Sequence, residues 1–194
     1  MDDKEKSFVG TLHCDGNNFS ASIGFQKAYS ETVIPKSENS SRPPDPYRAI
    51  HHETVDKLYA SSYKNAEPTL FYFRHINGGE YAVYSRSPSF HSGKHLCINN
   101  SGVISASDVQ AEINYFSFQQ NGQRIQIHEK IGEEILAEFV CKDGGIEFHN
   151  IENPTDDINL TAQVVSKGGR GPLGNIRLKV IKRDVDWLSA NTKN

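Results

Sequence analysis

The sequence has few of the residues and runs that mark membrane, exported or disulfide-bonded proteins. It holds three cysteines, one methionine and one tryptophan among 194 residues. An odd and small number of cysteines does not build a disulfide framework. No stretch approaches the roughly 18 consecutive apolar residues of a membrane helix, and the acidic start MDDKEKSFVGTLH lacks the apolar core of a signal peptide. We expect no membrane insertion, and a cytoplasmic location or secretion without a signal peptide.

The sequence also lacks a strong charge of either sign. Lysine and arginine number 21 against 24 aspartate and glutamate residues, and the formal net charge is -3 at pH 7. A chain without a basic excess has no field to attract a polyanion. The composition therefore predicts no nucleic-acid partner.

Motifs of common enzymes are missing as well. The sequence has no P-loop, no GxGxxG, no GxSxG elbow and no HExxH. His91, His95 and Cys97 lie close together in HSGKHLC, but their spacing matches no zinc pattern and no second cluster completes four ligands. We therefore expect no enzymatic activity, no cofactor and no metal site.

Short alternating runs of aromatic and β-branched residues fill most of the chain and are separated by Asn, Asp, Gly and Ser. Such runs are typical of strands. The pattern predicts one all-β domain over residues 1–194. The twelve predicted strands lie near 8–13, 18–26, 69–74, 80–85, 94–98, 102–106, 114–119, 123–128, 134–140, 144–149, 158–165 and 175–182.

Residues 27–66 interrupt this pattern and are predicted to form an insertion. A Ser- and Pro-rich loop covers 37–48. Asp45 can cap a helix and Pro46 suits its first position, so a helix is predicted to continue to Ser62. Its semi-apolar face repeats at steps of three or four residues, at Tyr47, Ile50, Thr54, Leu58 and Ser62.

Two kinds of hairpin recur along the chain. LFYFRHINGGEYAVYS (70–85) and YFSFQQNGQRIQIHE (115–129) each place Asn-Gly between alternating runs, which is a strong hairpin signal. TLHCDGNNFSAS (11–22), HLCINNSGVISAS (95–107) and FVCKDGGIEFHN (139–150) each place a cysteine before a short polar turn. The period lies in the low forties and indicates about four strands per repeat.

Twelve strands in three such units resemble the β-trefoil. The resemblance covers 8–26 and 69–182, and implies a closed barrel whose N- and C-terminal strands lie side by side. The alternative is a β-sandwich, which also accommodates short strands with regular turns. Cysteines at equivalent core positions behave as small buried hydrophobes, so Cys14, Cys97 and Cys141 are interpreted as structural.

β-Trefoils include lectins, protease inhibitors, leaderless cytokines and actin bundlers, and the fold does not choose among them. We expect a non-catalytic module that binds a glycan or a protein. Lectin-like recognition is preferred, although the Gln-x-Trp signature of ricin-like lectins is absent. Polar side chains of the repeated turns and nearby rings are the candidate site: Asp15, Asn17, Tyr81, Tyr84, His95, Asn99, Asn100 and Asp143. The alternative is a protease inhibitor or cytokine-like ligand that binds protein through 27–66.

Overall fold

The computed structural model describes residues 4–16, 19–35, 45–62, 68–87, 91–110, 113–130, 134–142, 144–150, 161–166 and 175–186. These residues are mainly strand, with short 3-10 turns at Lys4–Lys6 and Ile127–Glu129. The described residues form thirteen strands: β1 Phe8–Gly16, β2 Phe19–Val33, β3 Tyr47–Ser61, β4 Leu70–Asn77, β5 Glu80–Ser85, β6 His95–Ile98, β7 Ile104–Ser107, β8 Tyr115–Gln120, β9 Gln123–Ile125, β10 Glu134–Cys141, β11 Gly144–Asn150, β12 Thr161–Ser166 and β13 Asn175–Arg183. In this part of the chain, no helix is long and apolar enough to cross a membrane.

All thirteen strands join one antiparallel sheet, and the sheet closes on itself. A ten-strand barrel runs β1-β4-β5-β6-β7-β3-β12-β11-β10-β13 and returns to β1, with β2, β8 and β9 as additional strands. A shorter closed circuit runs β1-β4-β5-β8-β10-β13. The all-β prediction is confirmed, and one closed sheet replaces the two stacked sheets of the sandwich alternative.

The N- and C-terminal strands close the barrel. β1 pairs with β13 from Phe8 opposite Arg183 to Cys14 opposite Ile176. The expectation that these two strands lie side by side is confirmed.

Aromatic side chains fill the barrel because alternate residues of each strand point inward. Phe8 stacks on Phe73 with ring centroids 4.6 Å apart, and Phe116 stacks on Phe139 at 4.9 Å. Phe118 lies between these pairs and contacts Phe73 at 5.7 Å. The two hairpins recognised by their aromatic residues thus supply part of the core, and rings from β1 and β10 pack against them.

Each of the twelve predicted strands overlaps a strand of the structure. The one expected near 123–128 is reduced to Gln123–Ile125 and continues into the turn at Ile127–Glu129. The thirteenth strand is β3, which lies where the sequence pattern predicted a helix.

The helix predicted over 45–62 is wrong. Tyr47–Ser61 is a strand that pairs with β2, from Val33 opposite Tyr47 to Ser22 opposite Ser61. Residues 26–33 and 47–54 form a two-stranded ribbon, here called the arm, which has many exposed side chains. The described residues of the insertion therefore form two paired β-strands and no helix. Residues 37–44 of the predicted Pro-rich loop lie outside the described residues.

The arm leaves the barrel at a wide bulge. Gly24 faces Tyr59 and Gln26 faces Thr54, so Phe25 alone stands opposite the four residues 55–58. Such an excess of residues on one strand bends the ribbon locally. The N–H of Phe25 donates to Thr69 Oγ1 at 3.3 Å and ties the bend to the segment before β4.

The three cysteines are buried and none forms a disulfide, which confirms their predicted burial. Their surroundings are not all alike. Cys14 in β1 faces Ala21, and Cys141 at the end of β10 faces Gly144, each beside the turn to the following strand. Cys97 lies in β6 opposite Ser105, outside the six-strand circuit. Cys14 and Cys141 lie in strands of that circuit, so the surroundings of Cys97 differ from theirs.

Candidate functional site

Three of the predicted turn residues contribute little to a description of the site. Asn17 and Asp143 lie outside the described residues. Asp15 lies in β1, where its backbone faces Ser20 of β2. They remain predictions.

The structure contradicts Tyr81 as a surface ligand contact. Its ring is fully buried among Phe8, Phe73 and Phe118. Its hydroxyl accepts a hydrogen bond from the Ile127 N–H at 3.3 Å. Burial is the main cause that raises the pKa of Tyr81 to about 12. Tyr81 is therefore a core residue with a satisfied polar end and offers no face to a sugar.

His95 and Tyr84 also serve packing. They face each other across β5 and β6, and their rings meet edge to face at 6.3 Å. His95 is buried, and Tyr84 packs against a small cluster built from Val9, Tyr72 and Val185. The assignment of His95 to an open ligand surface is wrong, and half-buried Tyr84 lies on the same packed side.

Asn99 and Asn100 are exposed, as a binding role requires, in the turn between β6 and β7. Asn99 Oδ1 accepts hydrogen bonds from the N–H groups of Ser101 at 2.9 Å and Val103 at 3.0 Å. This geometry is an Asx turn, in which the side chain shapes the backbone. Asn99 therefore fixes the turn that presents Asn100.

This turn borders a surface depression of about 500 Å³. A second depression of about 380 Å³ adjoins it. Both are lined by Ile113, Asn114 and Lys142, and we call the pair the Asn114 groove. The first depression adds mainly Asn99, Asn100, Ser105 and Ser107, and the second adds Glu80, Tyr115, Gln119 and Arg124.

Several polar groups of the groove are held in place. Asn114 Oδ1 accepts the Ile98 N–H at 2.7 Å, which orients the amide. Arg124 forms an ion pair with Glu80 at 3.2 Å and donates to the Gly78 carbonyl at 3.3 Å. A polar group whose position is already fixed loses little entropy when it binds a ligand.

Tyr115 supplies an exposed aromatic face. Its side chain is 48% exposed and follows Asn114 directly at the start of β8. An exposed aromatic ring beside amides and hydroxyls suits a ligand that has both polar groups and C–H surfaces.

Sequence reasoning found Asn99 and Asn100 but missed Asn114, Tyr115 and Lys142. Lys142 directly follows Cys141, which belongs to the cysteine-turn pattern, but the pattern did not identify Lys142 as a binding residue. Asn114 and Tyr115 open the predicted strand 114–119 and carry no local signal of a binding role. They join the site only because β8 pairs with both β5 and β10.

The arm is the second candidate surface. Cross-strand pairs cover one of its faces: Lys27 with Glu53 at 4.0 Å and His51 with Glu31 at 3.5 Å. Beyond them, Ile34 is 71% exposed and Tyr47 is 56% exposed.

Among the described residues, no group of three or more His, Cys, Asp and Glu side chains is placed to hold a metal ion. Comparisons of the chain with protein-family models, curated proteins and solved structures found no match.

Proposed function

We propose that the protein is a non-catalytic binding module that recognises carbohydrate in the Asn114 groove. The observation that carries this proposal is the exposed Tyr115 ring, which lines one depression of the groove together with the oriented amide of Asn114, while Asn99 and Asn100 line the adjoining depression. Sugars present hydroxyls to planar amides and C–H faces to aromatic rings. The groove offers both kinds of group on one surface.

The groove is shaped for a shallow ligand. It contains hydroxyls from Ser105 and Ser107, amides from Asn100 and Asn114, and a cationic group from Lys142. The fixed oxygen of Asn114 leaves its NH2 group as a donor for a ligand hydroxyl. A polar, open groove of this kind favours a polyhydroxylated ligand over an apolar one.

The pairing order supports a β-trefoil as the fold. β1–β4, β5–β8 and β10–β13 alternate with β4–β5, β8–β10 and β13–β1 around the six-strand circuit. Along the chain, a hairpin falls between the two strands of each of the first three pairs. These hairpins are β2–β3 between β1 and β4, β6–β7 between β5 and β8, and β11–β12 between β10 and β13. In this proposal β9 is an addition, and the lectin members of the fold are the relevant precedent.

Equivalent turns in the three cysteine hairpins would predict three related pockets, but we propose one groove. The turns that contain Asn100 and Lys142 come from different hairpins but line the same depression. Binding at a single site removes the internal multivalency that three pockets would provide.

A glycan array with matched tyrosine variants tests the proposal. Tyr115→Ala removes the exposed ring in the groove, and Tyr47→Ala removes a similarly exposed ring on the arm. We expect binding to specific glycans that falls about fivefold or more in Tyr115→Ala and Asn100→Ala, because each loses a contact of about 1 kcal/mol or more. Tyr47→Ala should bind as the wild type does.

An array without signal, or glycan binding that Tyr115→Ala leaves intact, would reject carbohydrate recognition in this groove. Asn100→Ala is preferred to Asn99→Ala because Asn99 holds the turn through two backbone hydrogen bonds. A loss in Asn99→Ala would therefore report on the turn as much as on the ligand.

The second candidate function is protein recognition by the arm, as an inhibitor or a signalling ligand. The exposed apolar side chains of Ile34 and Tyr47 favour it, since large exposed apolar groups are enriched at interfaces. The same two variants discriminate. Protein binding that is lost in Tyr47→Ala and kept in Tyr115→Ala supports the arm, and the reverse result excludes it.

A further inference from the structure

The outer edge of β2 in the arm is available for strand pairing. Residues 26–33 pair with β3 on one side, and among the described residues no strand covers the other side. An open edge presents unpaired backbone N–H and C=O groups and accepts a further strand. No proline lies within this segment to block it.

We propose that a second copy of this chain binds there, by antiparallel pairing of β2 with β2 about a twofold axis at Tyr29. In this register Lys27 of each copy faces Glu31 of the other. Two equivalent ion pairs thus form on either side of the axis. The inference concerns the arm and does not depend on what the groove binds.

The charge pattern selects this register. A shift by one residue would place Lys27 opposite residue 30 or Thr32, and a shift by two would place it opposite Tyr29 or Val33. Only the register centred on Tyr29 sets the lysine against the glutamate. Opposite charges on directly facing residues stabilise an antiparallel pair, and like charges destabilise it.

The side chains already have positions that suit this pairing. Lys27 lies beside Glu53 of its own β3, and Glu31 lies beside His51. Joining two arms would continue the row Glu53, Lys27 and then Glu31 of the second copy with alternating charge. At the axis, each Tyr29 ring, which stacks on His51 at 5.4 Å, would meet its equivalent.

The geometry also covers the apolar end of the arm. An antiparallel pair centred on Tyr29 places residue 33 of one copy opposite residue 25 of the other. The exposed Ile34 and Tyr47 then lie near the bulge where the second arm leaves its barrel. Because the paired segment is short, we expect a dimer that forms with rising concentration and not an obligate one.

Sedimentation of the intact protein from about 1 μM to about 1 mM measures the association. Lys27→Glu places like charges at both equivalent positions and should weaken dimerisation about tenfold or more. The double variant Lys27→Glu/Glu31→Lys restores opposite charges between copies and should recover it. This recovery separates pairing between copies from damage to the arm, since both variants carry the Lys27→Glu change beside Glu53. Circular dichroism confirms that both remain folded.

Cysteine cross-linking tests the register. Facing Cα atoms of an antiparallel pair are about 4.5–5.5 Å apart, within the range of a disulfide. Tyr29→Cys should therefore form a disulfide-linked dimer on mild oxidation, whereas Thr32→Cys on the same strand should not. The native cysteines are buried and give little background.

A protein that stays monomeric over the whole concentration range overturns the proposal. So does a dimer that Lys27→Glu leaves unchanged, or equal cross-linking at 29 and 32, since either places the contact elsewhere. An arm that captures a different protein and never a second copy overturns it too.

Discussion

The barrel and the arm have the same secondary structure but are stabilised in different ways. Strand β2 runs through both. In the barrel part, Ile23 and Phe25 are fully buried, and Phe25 contacts Phe71 in the core. In the arm part, β2 pairs with β3 through ion pairs and a Tyr29–His51 stack at its surface. Regular pairing therefore persists beyond the core, whereas the large buried side chains of β2 end at Phe25 and the buried residue beyond them, Ala28, is small.

The largest difference in the free energy of unfolding is expected when one aromatic ring is removed from each region. Phe118→Ala leaves a cavity beside Phe73, Tyr81 and Phe139. We expect it to lower the free energy of unfolding by about 3–5 kcal/mol. Tyr47→Ala, on the arm, removes an exposed ring and should change it by less than about 0.5 kcal/mol. Urea unfolding at low protein concentration measures both.

Equal effects in these two variants would mean that the arm is as integral to the fold as the barrel. Tyr47→Phe is the control for the hydroxyl alone. It should leave the unfolding free energy unchanged within error.

Alanine substitutions at two glycines test the same difference between barrel and arm, with a smaller expected loss of stability. A Cβ added at Gly10 in the barrel would lie 2.6 Å from the Lys179 carbonyl oxygen, a backbone atom of β13. A Cβ at Gly24, at the base of the arm, would lie 2.5 Å from Thr69 Oγ1. Overpacking of this kind costs about 1–3 kcal/mol. We expect the loss of stability in Gly10→Ala to lie near the upper end of this range, because the backbone of a paired strand cannot move aside.

A second substitution distinguishes the two positions. Thr69→Ala removes the oxygen that a Cβ at residue 24 would meet, so it should recover part of the loss in Gly24→Ala. It should recover nothing in Gly10→Ala. Thermal unfolding of the two glycine variants, each with and without Thr69→Ala, and of Thr69→Ala alone measures this recovery. The single variant is needed because Thr69 Oγ1 also accepts the Phe25 N–H. Equal recovery in both backgrounds would contradict the local steric account.

The difference between the regions also explains which strands could be predicted from sequence. β4 and β8 bury Phe71, Phe73, Phe116 and Phe118 in the core, and these phenylalanines alternate along each strand. In β3, residues 52–54 are exposed in succession, so no alternation distinguishes the strand. The Asp45-Pro46 pair suits a helix start and an extended entry to a strand equally well. The helix prediction failed because the arm has little core to face.

The candidate site was predictable only in part, for a related reason. The Asn99 turn depends on local chemistry, and its polar residues signal it. Tyr81 and His95 lie close to turns in sequence, but that closeness does not tell which face of the strand they occupy. Tyr115 and Lys142 join Asn100 through long-range pairing, which a single sequence does not reveal.

The smallest change in stability is expected from substitutions at the junction between the barrel and the arm. His91 is fully buried against Phe25, with ring centroids 4.4 Å apart. Its Nδ1 lies 3.7 Å from Asp56 Oδ1 in the bulge, and the same oxygen lies 3.7 Å from Lys94 Nζ. Burial, aided by Lys94, lowers the pKa of His91 below 6.5, while Asp56 and a backbone hydrogen bond with Val55 oppose the change.

The lowered pKa means that the unfolded chain binds the proton of His91 more readily than the folded chain does. Its contribution to stability is therefore complete above about pH 6.5 and declines as the pH falls below that value. His91→Phe fills similar space without a titrating group, so it should reduce the loss of stability between about pH 7 and pH 5. Asp56→Asn removes the opposing charge and should increase that loss. Urea unfolding at several pH values checks both directions, and identical pH profiles for the wild type and His91→Phe would show that burial at this junction does not control the protonation of His91.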